Sequence, residues 1–172
     1  MTTIAFTSTG DLDITASPTS SKNDFDFLVG AWNIHNKKLK TRLSNSTEWI
    51  QFDATHEMHK VLLGIGNTDV MRTTIDGKPF EGMSIRLFNP STKLWSIYWA
   101  DSNSGTMEKP VVGSFANNTG KFFSKELFKD IEIILRFNWD VSDPGNPVWS
   151  QAFSADNGKT WEWNWYMYFT RK

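Results

Sequence analysis

From residue 30 to the end of the chain, β-branched and aromatic side chains recur at alternate positions, in runs broken by turn residues about 8 to 15 positions apart. A period of two is that of a strand with one buried face, and no stretch after residue 30 sustains helical spacing. The chain is thereby held to an all-β fold. Strands are expected at about 31–42, 47–62, 65–75, 82–88, 94–100, 111–116, 121–128, 131–140, 148–155 and 160–170. The breaks carry turn chemistry: Asp76-Gly77, Asn89-Pro90-Ser91-Thr92, Asn117-Asn118-Thr119-Gly120, Lys129-Asp130 and Asp156-Asn157-Gly158-Lys159. About nine or ten consecutive antiparallel strands make a meander, and a meander removes its exposed edges by closing into a single barrel. No repeat of propeller-blade length, roughly 40 residues, occurs.

Ahead of the strands, residues 1–22 are rich in Thr and Ser, with Asp11, Asp13, Pro18 and few large apolar side chains. Such a segment offers too little apolar surface to offset ordering and is expected to be a flexible N-terminal tail, leaving 23–172 as the barrel domain. Ser21 or Asn23 can cap, Asp24 and Asp26 sit in a first turn, and Phe25, Phe27 and Leu28 supply an apolar side before Gly30. One short N-terminal helix is predicted there.

Whole-chain composition narrows the function classes. Eighteen Lys plus Arg against nineteen Asp plus Glu give a formal net charge of -1, so no basic footprint exists for nucleic acid or an anionic membrane, and neither is expected as a partner. No apolar run reaches the roughly 18 to 20 residues that span a bilayer, and the start lacks the pattern of a signal peptide. The expected location is cytoplasmic. The absence of cysteine removes disulfides, thiolate nucleophiles, iron–sulfur clusters and thiolate zinc sites. Nine Trp and thirteen Phe instead describe a small domain with an aromatic interior.

Among residues that could carry chemistry, histidine comes first as general base and metal ligand. His56 and His59 are three apart, so on a strand they point to opposite faces and cannot share a metal; the spacing is also not that of a zinc-binding helix. His56 falls on the apolar side with Phe52, Ala54 and Met58, and is read either as a hydrogen-bonded lining residue or as a ligand contact or base. His35 is expected to be exposed. Gly64-Ile65-Gly66-Asn67-Thr68-Asp69 lacks the third glycine of a phosphate loop and leads into a strand, and Gly82-Met83-Ser84-Ile85-Arg86 lacks the second glycine of a nucleophile elbow. Both are read as strand and turn sequence.

Ser154-Ala155-Asp156-Asn157-Gly158-Lys159-Thr160-Trp161 is similar to the aspartate-box hairpin of sialidases, in which the Asp accepts backbone hydrogen bonds; a single copy is read as a turn device, with sugar stacking on Trp161 the alternative. Trp161, Trp163 and Trp165 are expected on one strand face. Strands 94–100 and 160–169 are aromatic on both faces, so the tail, the helix or a second subunit should cover the outside, and a homodimer is the preferred expectation. Arg86 and Arg136 sit mid-strand among large apolar residues, where a charge is costly unless paired. Parity leaves open whether either faces the barrel interior.

Gly30-Ala31-Trp32 resembles the G-x-W signature that opens lipocalins and other calycin barrels, and Arg171 stands where that superfamily packs an Arg over the Trp. A longer resemblance runs from about Asp24 to Lys172. It is carried by Asp26-Phe27-Leu28-Val29-Gly30, Leu62-Leu63-Gly64-Ile65-Gly66-Asn67, Ile85-Arg86-Leu87-Phe88-Asn89-Pro90 and Leu94-Trp95-Ser96-Ile97-Tyr98-Trp99. It continues through Pro110-Val111-Val112-Gly113-Ser114-Phe115 and Trp149-Ser150-Gln151-Ala152-Phe153-Ser154 to Trp161-Glu162-Trp163-Asn164-Trp165. Together these are similar to an uncharacterised bacterial family of small calycin-like, lipocalin-like β-barrel proteins. The resemblance implies a fold and no settled reaction. Related haem-binding calycins ligate iron through a His near the C-terminal end, and this chain has none after His59, so no cofactor and no metal are expected.

Two functions follow. The first is small-molecule binding: the barrel cavity takes an apolar or amphipathic ligand, with Phe52 and Trp99 as walls and His56, Asn67, Arg86, Arg136 or Gln151 as orienting groups. The alternative is an enzyme on a hydrophobic natural-product or lipid-like substrate, with His56 as general base beside a carboxylate such as Asp53 or Glu57. A binder should show no polar triad converging in its cavity, whereas an enzyme should hold His56 within reach of a carboxylate.

Overall fold

A computed structural model describes residues 1–172. A short hairpin, β1 (Thr3–Phe6) and β2 (Leu12–Thr15), precedes ten long strands. These are β3 (Gly30–Leu39), β4 (Trp49–Val61), β5 (Gly66–Ile75), β6 (Lys78–Asn89), β7 (Leu94–Asp101), β8 (Val111–Ala116), β9 (Thr119–Phe128), β10 (Ile131–Asp140), β11 (Val148–Ser154) and β12 (Glu162–Arg171). Each pairs antiparallel with its chain neighbours, and β12 pairs with β3, Phe169 opposite Ile34, to close the barrel. The all-β barrel read from the alternation is the fold observed, with strand ends within a few residues of those expected. No helix is long and apolar enough to cross a membrane.

The expected N-terminal helix is absent as such. Asp26–Leu28 makes only a single 3₁₀ turn, ended by extended Val29 and by Gly30 at φ +102°. Five or six residues cannot repay helix nucleation, and the segment is shaped instead by the burial of Phe25 and Leu28 in the barrel end. The flexible tail is also replaced by structure. Residues 1–22 contain the β1–β2 hairpin, which lies outside β8 and β9. The Ser114 side chain, on the outer face of β8, bonds both Thr2 Oγ1 (2.7 Å) and the Ser17 backbone N–H (2.8 Å), while Lys125 Nζ donates to the Gly10 carbonyl at 2.9 Å. Composition predicts poor apolar burial correctly here; polar hydrogen bonds to the sheet exterior hold the segment. The hairpin does not reach Tyr168, which stays exposed.

Register assigns the two faces. Trp32, Ile34, Asn36 and Lys38 of β3 point inward with Phe52, Ala54, His56 and Met58 of β4 and with Asn67, Asp69 and Met71 of β5. One end of the barrel is plugged. Phe25 packs edge-on to Trp95 and Phe115, each at 5.0 Å between ring centroids, and Phe27 packs on Trp139 at 5.4 Å. Trp32 Nε1 donates to the Leu28 carbonyl (2.8 Å), and the Arg171 guanidinium lies 3.8 Å over the Trp32 ring while donating to the Val29 and Phe27 carbonyls. The G-x-W tryptophan and the late arginine thus meet as the resemblance implied.

Trp32 is fully buried at this plug. Trp32→Ala is expected to cost about 3–5 kcal/mol, the range for emptying a buried aromatic site. Chemical denaturation checks it, and a loss below about 1 kcal/mol would mean that the plug does not depend on this ring.

Candidate functional site

With one end stopped, ten strands enclose more space than their inward side chains fill, and a cavity of about 480 Å³ remains. Its walls are mostly apolar, among them Phe52, Met71, Trp99, Leu135, Trp149 and Met167. Gly82 makes room for one wall: a Cβ there would stand 2.0 Å from the Trp99 ring, so no larger residue lets that indole lie flat against β6.

Near the plugged end four inward side chains meet. Asp69 of β5 and Arg86 of β6 form a buried ion pair through Arg86 Nη1, which also donates to Asn67 Oδ1 at 3.0 Å. His56 of β4 places Nε2 3.3 Å from the same Asp69 oxygen and turns its ring edge-on to Phe169 at 5.5 Å. All four residues are at least 95 % buried. Burial alone would raise the Asp69 carboxyl, but the Arg86 guanidinium and the His56 imidazole outweigh it and hold its pKa at about 2. The carboxylate is therefore ionised, and its charge cancels that of Arg86. Two buried nitrogens, His56 Nδ1 and Arg86 Nε, have no partner in the protein.

The open end differs in character. Lys38 and Arg42 line it, as do Asp101, Glu108 and Glu126. Lys38 Nζ lies 3.9 Å over the Trp165 ring, and Trp165 Nε1 donates to buried Asn36 Oδ1 at 3.0 Å. Arg42 stacks on Phe128 and Phe153 at 4.9 and 5.3 Å.

The structure brings Phe52, His56, Arg86, Trp99 and Gln151 to the cavity wall. Asn67 is buried behind it and acts on Arg86. Arg136 lies elsewhere: it projects outward from β10, stacked near Trp161 and Trp163 at 5.4 and 5.1 Å, and cannot orient a ligand inside. Its register decides this, since its neighbours Leu135 and Phe137 pair with inward Ser124 and Phe122. Arg86 takes the opposite course because Asp69 and Asn67 stand ready to pair it. The carboxylate beside His56 is Asp69, not Asp53 or Glu57. Both of those lie on the outer face of β4, where Asp53 Oδ1 sits 2.8 Å from exposed His35 Nδ1 and Glu57 Oε1 sits 3.3 Å from His59 Nε2.

The tryptophans at 161, 163 and 165 do not share a face. A bulge places Trp165 opposite Gln151 but Trp163 opposite Ala152, so Asn164 is the extra residue, fully buried and accepting from Gln151 Nε2 at 2.9 Å. Trp165 turns into the cavity, while Trp163 stacks on Tyr166 outside. The aspartate-box stretch is a turn: Asp156 accepts from Thr160 N–H and Oγ1 at 2.9 and 2.6 Å, and Ser154 Oγ accepts from the Gly158 N–H at 2.8 Å. Asp69, Lys38 and Trp165 escaped the sequence reading as site residues. The signal for Asp69 was present in a second mid-strand charge, of sign opposite to Arg86, on the preceding strand. Neither a family model nor a curated protein matches this chain.

The pair with Arg86 makes a stability prediction. The folded pKa of Asp69 lies below the unfolded value of about 3.9, so the stabilisation is complete above about pH 4 and lost as pH falls toward about 2. Asp69→Asn is expected to cost about 3–5 kcal/mol near neutral pH, by leaving the Arg86 charge buried without a counterion. It should also flatten the acid limb of the stability curve in urea denaturation. A loss under about 1 kcal/mol would show the pair to be solvated.

Proposed function

We propose that this protein binds a small, largely apolar molecule in the barrel cavity, with a polar but uncharged group of the ligand turned to His56 and Arg86. The observation that carries the reading is the combination of about 480 Å³ of apolar-walled space with one charge-balanced polar cluster near its closed end. Apolar walls supply affinity, and a few buried polar groups supply orientation. Because Asp69 already neutralises Arg86, a carbonyl or hydroxyl suits the cluster better than a carboxylate, which would meet the Asp69 charge.

A second reading has its own support. His56 beside an ionised, buried carboxylate is the arrangement of an oriented general base, the Asp fixing the imidazole tautomer through Nε2 and leaving Nδ1 as the basic nitrogen. On that reading the cavity holds a hydrophobic substrate and His56 moves its proton.

One experiment separates them. Intrinsic tryptophan fluorescence is expected to change saturably with an apolar probe such as decanol, because Trp99, Trp149 and Trp165 border the cavity. Ser84→Phe, which fills the space beside Trp99, is expected to weaken the probe by on the order of tenfold, about 1.4 kcal/mol. His56→Ala should alter binding by about the 0.5–1.5 kcal/mol of one hydrogen bond, whereas loss of a base removes roughly 10²- to 10⁴-fold in rate from any turnover found. Absence of saturable binding to the wild-type protein would overturn both readings.

A further inference from the structure

We propose that Lys38 is a carbonyl-capturing residue, whose ε-amine condenses with the aldehyde of an apolar ligand held in the cavity to form an imine. This rests on the reading of the cavity as a ligand site and specifies the class of ligand.

Three features of its placement support it. Lys38 points inward from the end of β3 and lines the cavity where ligand must pass. Its amine forms no ion pair, although five pairs between a Lys or Arg and a carboxylate occur elsewhere in the molecule. Nζ is held instead 3.9 Å over the Trp165 indole, which is itself fixed by Asn36, so a long and mobile side chain is kept at one place on the wall. The charged groups around this mouth are Arg42 on the loop after β3, Asp101 at the end of β7, Glu108 on the following loop and Glu126 on β9. Burial and then the Arg42 charge lower the Lys38 ammonium to about 8, against the opposing pull of Asp101. An amine so placed is the nucleophile that carbonyl chemistry needs.

The chemistry balances without an oxidant or reductant. The neutral amine attacks the carbonyl carbon, a C–N bond forms, and the carbonyl oxygen takes up a proton as a hydroxyl group. That group leaves as water after a second protonation, the nitrogen gives up its protons, and a C=N bond remains. Glu108 and Glu126, carboxyls whose pKa burial raises, line the same cavity and are suited to carry the proton. Apolar walls limit the water that would reverse the condensation.

The test uses decanal with cyanoborohydride, which reduces an imine to a stable amine, and reads the product by intact and peptide mass spectrometry. The expected result is one decyl group per chain at Lys38. Near neutral pH its labelling should exceed that of an ordinary lysine by on the order of a hundredfold, as a free-amine pKa near 8 rather than 10.5 implies. Lys38→Arg should lose the adduct, and Lys37→Arg, altering the outward neighbour that lies over Trp49, should keep it. Decanol binding to the wild-type protein is measured in parallel. Decanol binding with decyl groups scattered over surface lysines would overturn the proposal and leave the ligand site standing, and failure of both probes would overturn both.

Discussion

Pairing of β12 with β3 turns a ten-strand meander into a ring, and the interior properties of the molecule depend on that closure. An open sheet of this length would present two unpaired edges and no enclosed volume. Once closed, the inward positions face one another across a space that even large aromatic side chains leave partly empty. Phe25, Phe27 and Leu28 then stop one end, held against Trp32 and Arg171. What remains is a hollow open at one end only, so depth along the barrel axis becomes a chemical coordinate.

Along that coordinate the electrostatics change. At depth, Arg86 and Asp69 cancel each other and share their remaining hydrogen-bonding capacity with Asn67 and His56, an arrangement that a low-dielectric interior tolerates because no net charge is left. At the mouth, positive Lys38 and Arg42 share the rim with the acidic Asp101, Glu108 and Glu126, without ion pairs between them. Aromatic faces take the place of counterions for both cations. A ligand whose leading end carries a hydroxyl or carbonyl would meet the neutral polar cluster last and leave its other end at Lys38.

Strand positions and closure were legible in the sequence because alternation and turn chemistry are local, and so was the inward placement of His56, which shares parity with Ala54 and Met58. Less was legible wherever a non-local partner decides. Arg86 and Arg136 have the same local surroundings, yet Asp69 lies across from one and an exterior aromatic stack receives the other. The Asn164 bulge shifts the parity of Trp163 and Trp165 through pairing with β11, which no count along a single strand reveals. The N-terminal hairpin is likewise fixed by Ser114, about a hundred residues away in the chain, and its own composition gives no sign of that partner.

The nine tryptophans carry nine indole N–H groups, some inside the barrel and some outside, and they offer the most direct measurement. NMR titration of the indole resonances with decanol is expected to shift Trp99, Trp149 and Trp165 saturably and together, while outward Trp49, Trp161 and Trp163 stay in place. Saturable shifts confined to the outward set, or none at all, would contradict a ligand site inside the barrel.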